Sequence, residues 1–138
     1  MNAIIAYLRE VNTVSIILRL TLATLFAGII GLERGKKKRP AGFRTHILVC
    51  IGATIIMITN QYIIDIMHMD SDPTRLGAQV ISGIGFLGAG TIIVDRRNQV
   101  KGLTTAAGLW ACACMGLAIG IGFYEGAIIS CIFLFGVM

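Results

Sequence analysis

Charge is what this sequence has least of. Only 14% of its 138 residues are Asp, Glu, Lys or Arg, against about 25% for an ordinary soluble domain. Such a chain has too few polar side chains to cover a water-facing surface, so a soluble globular domain is excluded. No cysteine falls in a loop: Cys50, Cys112, Cys114 and Cys131 all lie in apolar segments. That placement excludes a disulfide or zinc framework and leaves packing as their reading. No low-complexity tract, internal repeat or soluble module is present. No Ser/His/Asp or Cys/His nucleophile set is apparent, and His46 and His68 fall on opposite sides of the membrane in the topology derived below. The expectation is therefore no enzyme and no cofactor.

What the sequence has in quantity is apolar length. Hydrophobic residues make up 56% of the chain, at a mean hydropathy of +0.82. Five apolar segments are expected: 14–32, 47–66, 76–94, 103–122 and 127–138. The first four approach the roughly 20 residues that span a bilayer. The fifth runs for only 12 residues to Met138, either cut short or continued in a longer native protein. Segment one is too long for a signal-peptide core, and Glu33-Arg34 stands where a cleavage site belongs. The fold class that follows is all-α: a single-domain polytopic bundle of about five helices, neighbours antiparallel.

Orientation comes from the cations in short loops. Arg34, Lys36, Lys37, Lys38, Arg39 and Arg44 follow segment one, and Arg96, Arg97 and Lys101 follow segment three. Placing these inside puts the N-terminus outside and the C-terminus inside. Asp65, Asp70, Asp72 and Glu125 then lie on the outer side, with Arg9 and Arg75. The net charge of +5 is thus topology rather than a nucleic-acid footprint. It also favours contact with anionic membrane lipids.

The run Gly83-Ile84-Gly85-Phe86-Leu87-Gly88 satisfies G-x-G-x-x-G. A dinucleotide site needs a preceding strand and a soluble βαβ unit, and here the glycines sit in an apolar segment. In lipid, small residues mark helix contact faces. Gly83, Gly85, Gly88 and Gly90 are therefore read as packing residues, with segment three as the central helix. Asp72 and Pro73 are expected to start it as N-cap and first helical residue. Thr104 or Thr105 is expected to cap segment four after Gly102. Further small-residue stripes are Thr21, Thr24, Gly28, Gly31 and Gly35 in segment one, and Gly108, Cys112, Gly116 and Gly120 in segment four.

Two polar layers stand within the membrane. The outer one holds Arg19, Asn60, Gln61, Asp65 and Gln79. Arg19 either pairs with Asp65 in a polar vestibule or snorkels to the headgroups. The inner one holds Glu33, Arg34, Arg44, Thr45, Asp95, Thr104 and Thr105. Glu33 has a local ion pair with Arg34 or Arg44 as its simplest role. Trp110 lies within segment four, where an indole N–H wants an acceptor if buried. Met67-His68-Met69-Asp70-Ser71-Asp72 mixes soft and hard metal ligands at no recognised spacing and reads as a solvated turn.

At these residues the chain resembles the MgtC/SapB family of bacterial inner-membrane proteins. The matching stretches are Gly31-Leu32-Glu33-Arg34, Ala41-Gly42-Phe43-Arg44-Thr45, the run from Asp72 to Gly90, and Gly102 to Ala107 with Trp110. The resemblance implies about five membrane helices and a link to growth under magnesium limitation. In pathogens it implies survival inside host cells. It also implies action by restraining other membrane proteins, ATP synthase among them. Many members carry a C-terminal ACT-like domain; the residues here are expected to be the transmembrane domain without it. The expected function is non-enzymatic support of adaptation to magnesium limitation, through helix contacts in a homodimer and with membrane partners. The alternative is a Mg²⁺ or other cation transporter or channel. The residues expected to matter are Glu33, Arg34, Arg44, Asp72, Arg75, Gln79, Thr104, Thr105 and Trp110, with Glu33, Arg34 and Arg44 forming a cytoplasmic recognition surface.

Overall fold

The computed structural model describes residues 2–94, 96 and 98–138. Asp95 and Arg97, counted above among the inner charges, lie outside the described residues. Among the described residues six helices follow one another: α1 (Asn2–Arg9), α2 (Thr13–Lys36), α3 (Phe43–Asp65), α4 (Arg75–Gly90), α5 (Leu103–Gly120) and α6 (Tyr124–Val137). Between α4 and α5 lies a small antiparallel hairpin, β1 (Ile93–Val94) with β2 (Val100–Lys101), in which Ile93 faces Lys101 and Val94 faces Val100. The all-α reading holds. The long helices α2, α3 and α5 are apolar and long enough to cross a membrane, while α6 is apolar but shorter.

Local chemistry sets the element ends. Asn12 caps α2 reciprocally with Ser15: its side chain accepts from the Ser15 N–H at 2.8 Å, and the Ser15 hydroxyl accepts from the Asn12 N–H at 3.1 Å. Such a cap is worth about 1 kcal/mol. Segment three differs from expectation. Its helix starts at Arg75 with Thr74 at the cap position. Asp72 instead closes a turn, its Oδ1 accepting from the Thr74 N–H at 2.8 Å and the Thr74 hydroxyl at 2.7 Å. The helix stops at Gly90 rather than reaching Val94, because the chain turns into the hairpin. Neither Thr104 nor Thr105 caps α5; Gly102 does, at φ +94°. A Cβ on Gly102 would stand 1.9 Å from the Thr91 carbonyl oxygen, so only glycine fits this tight turn.

The core sits where α2, α3 and α5 meet, and α6 completes it. Ala23, Ala27, Ile30, Cys50, Cys112, Met115, Ile119, Ala127 and Cys131 form its buried cluster. Lipid gives helices no hydrophobic drive to associate, so close backbone approach and dispersion hold such a core. The segment-four stripe does this work. A Cβ on Gly116 would fall 2.5 Å from the Cys50 carbonyl oxygen, and one on Gly120 would fall 2.6 Å from Met57 Cβ. In segment one, Gly31 meets the Phe43 backbone in the same way, at 2.7 Å. Thr21 and Thr24 face outward and bond back to the Ile17 and Leu20 carbonyls at 2.7 and 2.8 Å.

The central helix is α5, not α4. It packs on α2, α3, α4 and α6, whereas α4 lies at the side against α5 and α3. Only Gly77, Ile84 and Gly88 of α4 are buried. Gly88 packs on Ala106, while a Cβ at Gly83, Gly85 or Gly90 would meet nothing within 4 Å. Within one chain those three glycines are open surface, and Phe86 beside them is 82% exposed.

Candidate functional site

Each end of the bundle holds one buried arginine, and both come from α2. Arg19 is 0% exposed. It does not pair with Asp65; it reaches from α2 towards the outer end of the bundle and is covered there by protein. Its Nη1 donates to Gln61 Oε1 at 2.8 Å and to the Gly120 carbonyl at 2.7 Å. Its Nη2 donates to the Arg9 carbonyl at 2.7 Å, with longer contacts to those of Leu8 and Glu10 at 3.3 and 3.4 Å. These last oxygens are at the C-terminal end of α1, where unpaired carbonyls and the negative end of the helix dipole favour a cation. Gln61 Nε2 and the Tyr124 hydroxyl donate to the same turn, at 2.9 Å to Arg9 and 2.6 Å to Leu8. An exposed ion pair, Arg9 to Glu125 at 2.6 Å, closes over it. The outer layer is thus a lock that ties α1 to α2, α3 and α5. Sequence reading placed Arg19 and Gln61 in it and missed α1, whose contribution is carbonyls that no residue type announces.

Asn60 serves elsewhere in that layer, donating to the Pro73 carbonyl at 2.6 Å. Asp72, Arg75 and Gln79 are exposed, and none of them is among the hydrogen-bond partners of Arg19 in the described residues. The two Thr74 hydrogen bonds hold the Asp72 carboxyl below its ordinary range.

At the opposite end, Arg34 is 2% exposed and donates from Nη2 to the Thr105 hydroxyl at 2.7 Å. Its Nε has no hydrogen-bond partner among the described residues. His46 is wholly buried nearby; its Nδ1 lies 2.8 Å from the Gly42 carbonyl oxygen and its Nε2 is likewise unpartnered. Beside Arg34 opens a cavity of about 420 Å³ between the α2–α3 turn, the hairpin and the start of α5. Arg34, Lys38, Arg39, Lys101, Thr104 and Thr105 line it, with Pro40, Val100 and Gly102.

The structure therefore brings together Arg34, Thr104 and Thr105 of the expected inner set. It does not bring Glu33 or Arg44 into that cavity. Glu33 pairs with Lys37 at 3.1 Å, one helical turn on, rather than with Arg34 or Arg44. Arg44 is exposed. The expected recognition surface of Glu33, Arg34 and Arg44 is not continuous, because Arg34 points into the bundle. Trp110 is 48% exposed, and it borders a second, mostly apolar cavity with Cys114, Ser130 and Phe133 between α5 and α6. In the sequence Lys38, Arg39 and Lys101 read as topology charges, with the basic loop also suited to anionic lipid. Their convergence depends on the hairpin, which apolar periodicity does not reveal.

Long apolar helices around a small-residue core, with cationic turns gathered at one end, define a multi-helix membrane protein. The profile of the MgtC family matches residues 20–138, and the chain belongs to that family. It is 44% identical to the Escherichia coli K12 protein named "Putative magnesium transporter YhiD" over 117 residues, 82% of this chain and 54% of that protein. Protein SapB of Bacillus subtilis is 42% identical over 123 residues, 86% of this chain and 53% of SapB. Protein MgtC of Brucella abortus is 43% identical over 115 residues, 83% of this chain and 46% of that MgtC. The chain spans about half the length of the curated relatives it matches. No solved structure matches it.

Proposed function

We propose that this chain is a non-enzymatic protein of the bacterial inner membrane that supports adaptation to magnesium limitation. It acts through contacts with its own copies, as a dimer, and with partner membrane proteins. The observation that carries this reading is the closed bundle. Arg19 and Arg34 stand on one helix, separated along it by about 22 Å at 1.5 Å per residue. Both are buried, and between them lies a core of Ala, Cys, Met and Ile side chains. A divalent cation routed through that core would approach a guanidinium ion at each end in a low-dielectric surrounding, where like charges repel strongly. The surface, rather than a path through the core, is then what partner membrane proteins meet. The exposed glycine face of α4 gives membrane helices a place to approach closely. The magnesium connection comes from the name of the Escherichia coli relative.

That name also favours a second reading, cation transport. In this fold the path would run between copies rather than within one. Mg²⁺ uptake into liposomes holding the purified protein separates the two readings, with Glu33→Ala as control. Under the proposed function no saturable flux appears, and a specific membrane partner copurifies from magnesium-starved cells. Saturable flux that falls in the Glu33 variant would replace this reading with transport.

A further inference from the structure

The cavity beside Arg34 has the make-up of an anion site. Its described lining carries four cationic side chains, Arg34, Lys38, Arg39 and Lys101, with two hydroxyls, Thr104 and Thr105, and no carboxylate among the described residues. Those cations come from two different turns that the fold brings together, so no single helix terminus explains them. Arg34 supplies the independent observation. It is 98% buried, by the 2% exposure of the residue, and lines the cavity. Thr105 takes one of its donors at Nη2; Nε, unpartnered among the described residues, is itself closed off, so the terminal nitrogens are what a ligand in the cavity would meet. A guanidinium is too costly to bury unless its donors are met, and its planar fork matches the oxygens of a phosphate group. The volume, about 420 Å³, is ample for a phosphate with a small attached group.

We propose that this cavity is a binding site for a phosphate-bearing anion. Arg34 is its buried anchor, and Lys38 and Arg39 neutralise the charge. The site lies among apolar side chains that face outward, including Phe43, Val100 and Leu103. A basic pocket at that level reaches either a phospholipid headgroup or a phosphate free in solution. Phosphate oxygens are the shared chemistry of both.

The test uses the full chain in nanodiscs. One arm titrates inorganic phosphate against protein in phosphatidylcholine discs. A second varies the fraction of phosphatidic acid and counts retained lipid by native mass spectrometry. The expected result is saturable binding in at least one arm, weakened tenfold or more by Arg34→Gln and by the double change Lys38→Ala with Arg39→Ala. Lys36→Ala, a nearby exposed cation outside the cavity, leaves it unchanged. The double variant keeps the test decisive if the Arg34 variant fails to fold. Binding in the first arm alone assigns a free phosphate; binding in the second alone assigns a headgroup. Saturation in neither arm overturns the proposal. So does an equal loss in the Lys36 variant, or equal affinity for a dicarboxylate such as malonate.

Discussion

Arg19 shows how one charged side chain can organise a membrane bundle without any acidic partner. Its donors end on main-chain oxygens at the close of α1 and α5 and on the Gln61 amide. Helix-end geometry leaves such oxygens without an intrahelical partner; the guanidinium shares those of α1 with Gln61 Nε2 and the Tyr124 hydroxyl, and it also takes the Gly120 carbonyl. Replacing Arg19 with Met keeps the bulk and removes every donor. Of the acceptors it leaves, the Gly120 carbonyl is the one in a fully buried hydrogen bond, and an orphaned buried acceptor costs about 1–3 kcal/mol, so the variant is expected to lose about that much. It should also release α1, read as faster proteolysis near Arg9. Glu125→Ala removes only an exposed ion pair, and its melting temperature should stay within a degree or two of the parent. Equal effects of the two changes would show that the Arg19 network does not hold the bundle end.

At the level of elements, the informative comparison is between glycines of equal appearance in the sequence. Gly116 and Gly85 both belong to small-residue stripes. Gly116 lies where α5 touches α3, with the Cys50 carbonyl oxygen 2.5 Å from its would-be Cβ; Gly85 faces open space. Gly116→Val is expected to destabilise the purified chain by about 1–3 kcal/mol through overpacking. Gly85→Val should leave its melting unchanged while weakening cross-linking between copies. Loss of monomer stability in the Gly85 variant would contradict the outward placement. This pair also marks what was legible beforehand. Long apolar runs disclosed five of the six helices, since length in a bilayer is a strong constraint. Which stripe faces which neighbour was not legible, because spacing fixes a face but not its partner. That is why α4 was expected at the centre that α5 occupies. The helix α1 was missed because it is eight residues long and is held by tertiary contacts. The hairpin was missed because its strands are two residues each. Arg34 and Thr105 were singled out, but their union with Lys38, Arg39 and Lys101 needed the fold.

For the whole molecule, the two ends of the bundle differ in charge, and that difference argues orientation. The α2–α3 turn and the hairpin meet around one cavity, so Lys36, Lys37, Lys38, Arg39, Arg96 and Lys101 gather at a single end. The other end carries Glu10, Asp65, Asp70, Asp72 and Glu125, with Arg9 and Arg75. Cations in short loops remain on the cytoplasmic side, and acidic residues contribute little to the choice. The cationic end is therefore expected inside, which places α1 outside. Three of the native cysteines are buried and Cys114 is partly so, so a single new cysteine at either end reports its own side. In intact cells a membrane-impermeant maleimide should label Asp70→Cys and spare Lys38→Cys. In inverted vesicles the order should reverse. Labelling of Lys38→Cys in intact cells would turn the bundle over. The cavity beside Arg34 would then face the outside of the cell, and phosphatidic acid of the inner leaflet could not reach it.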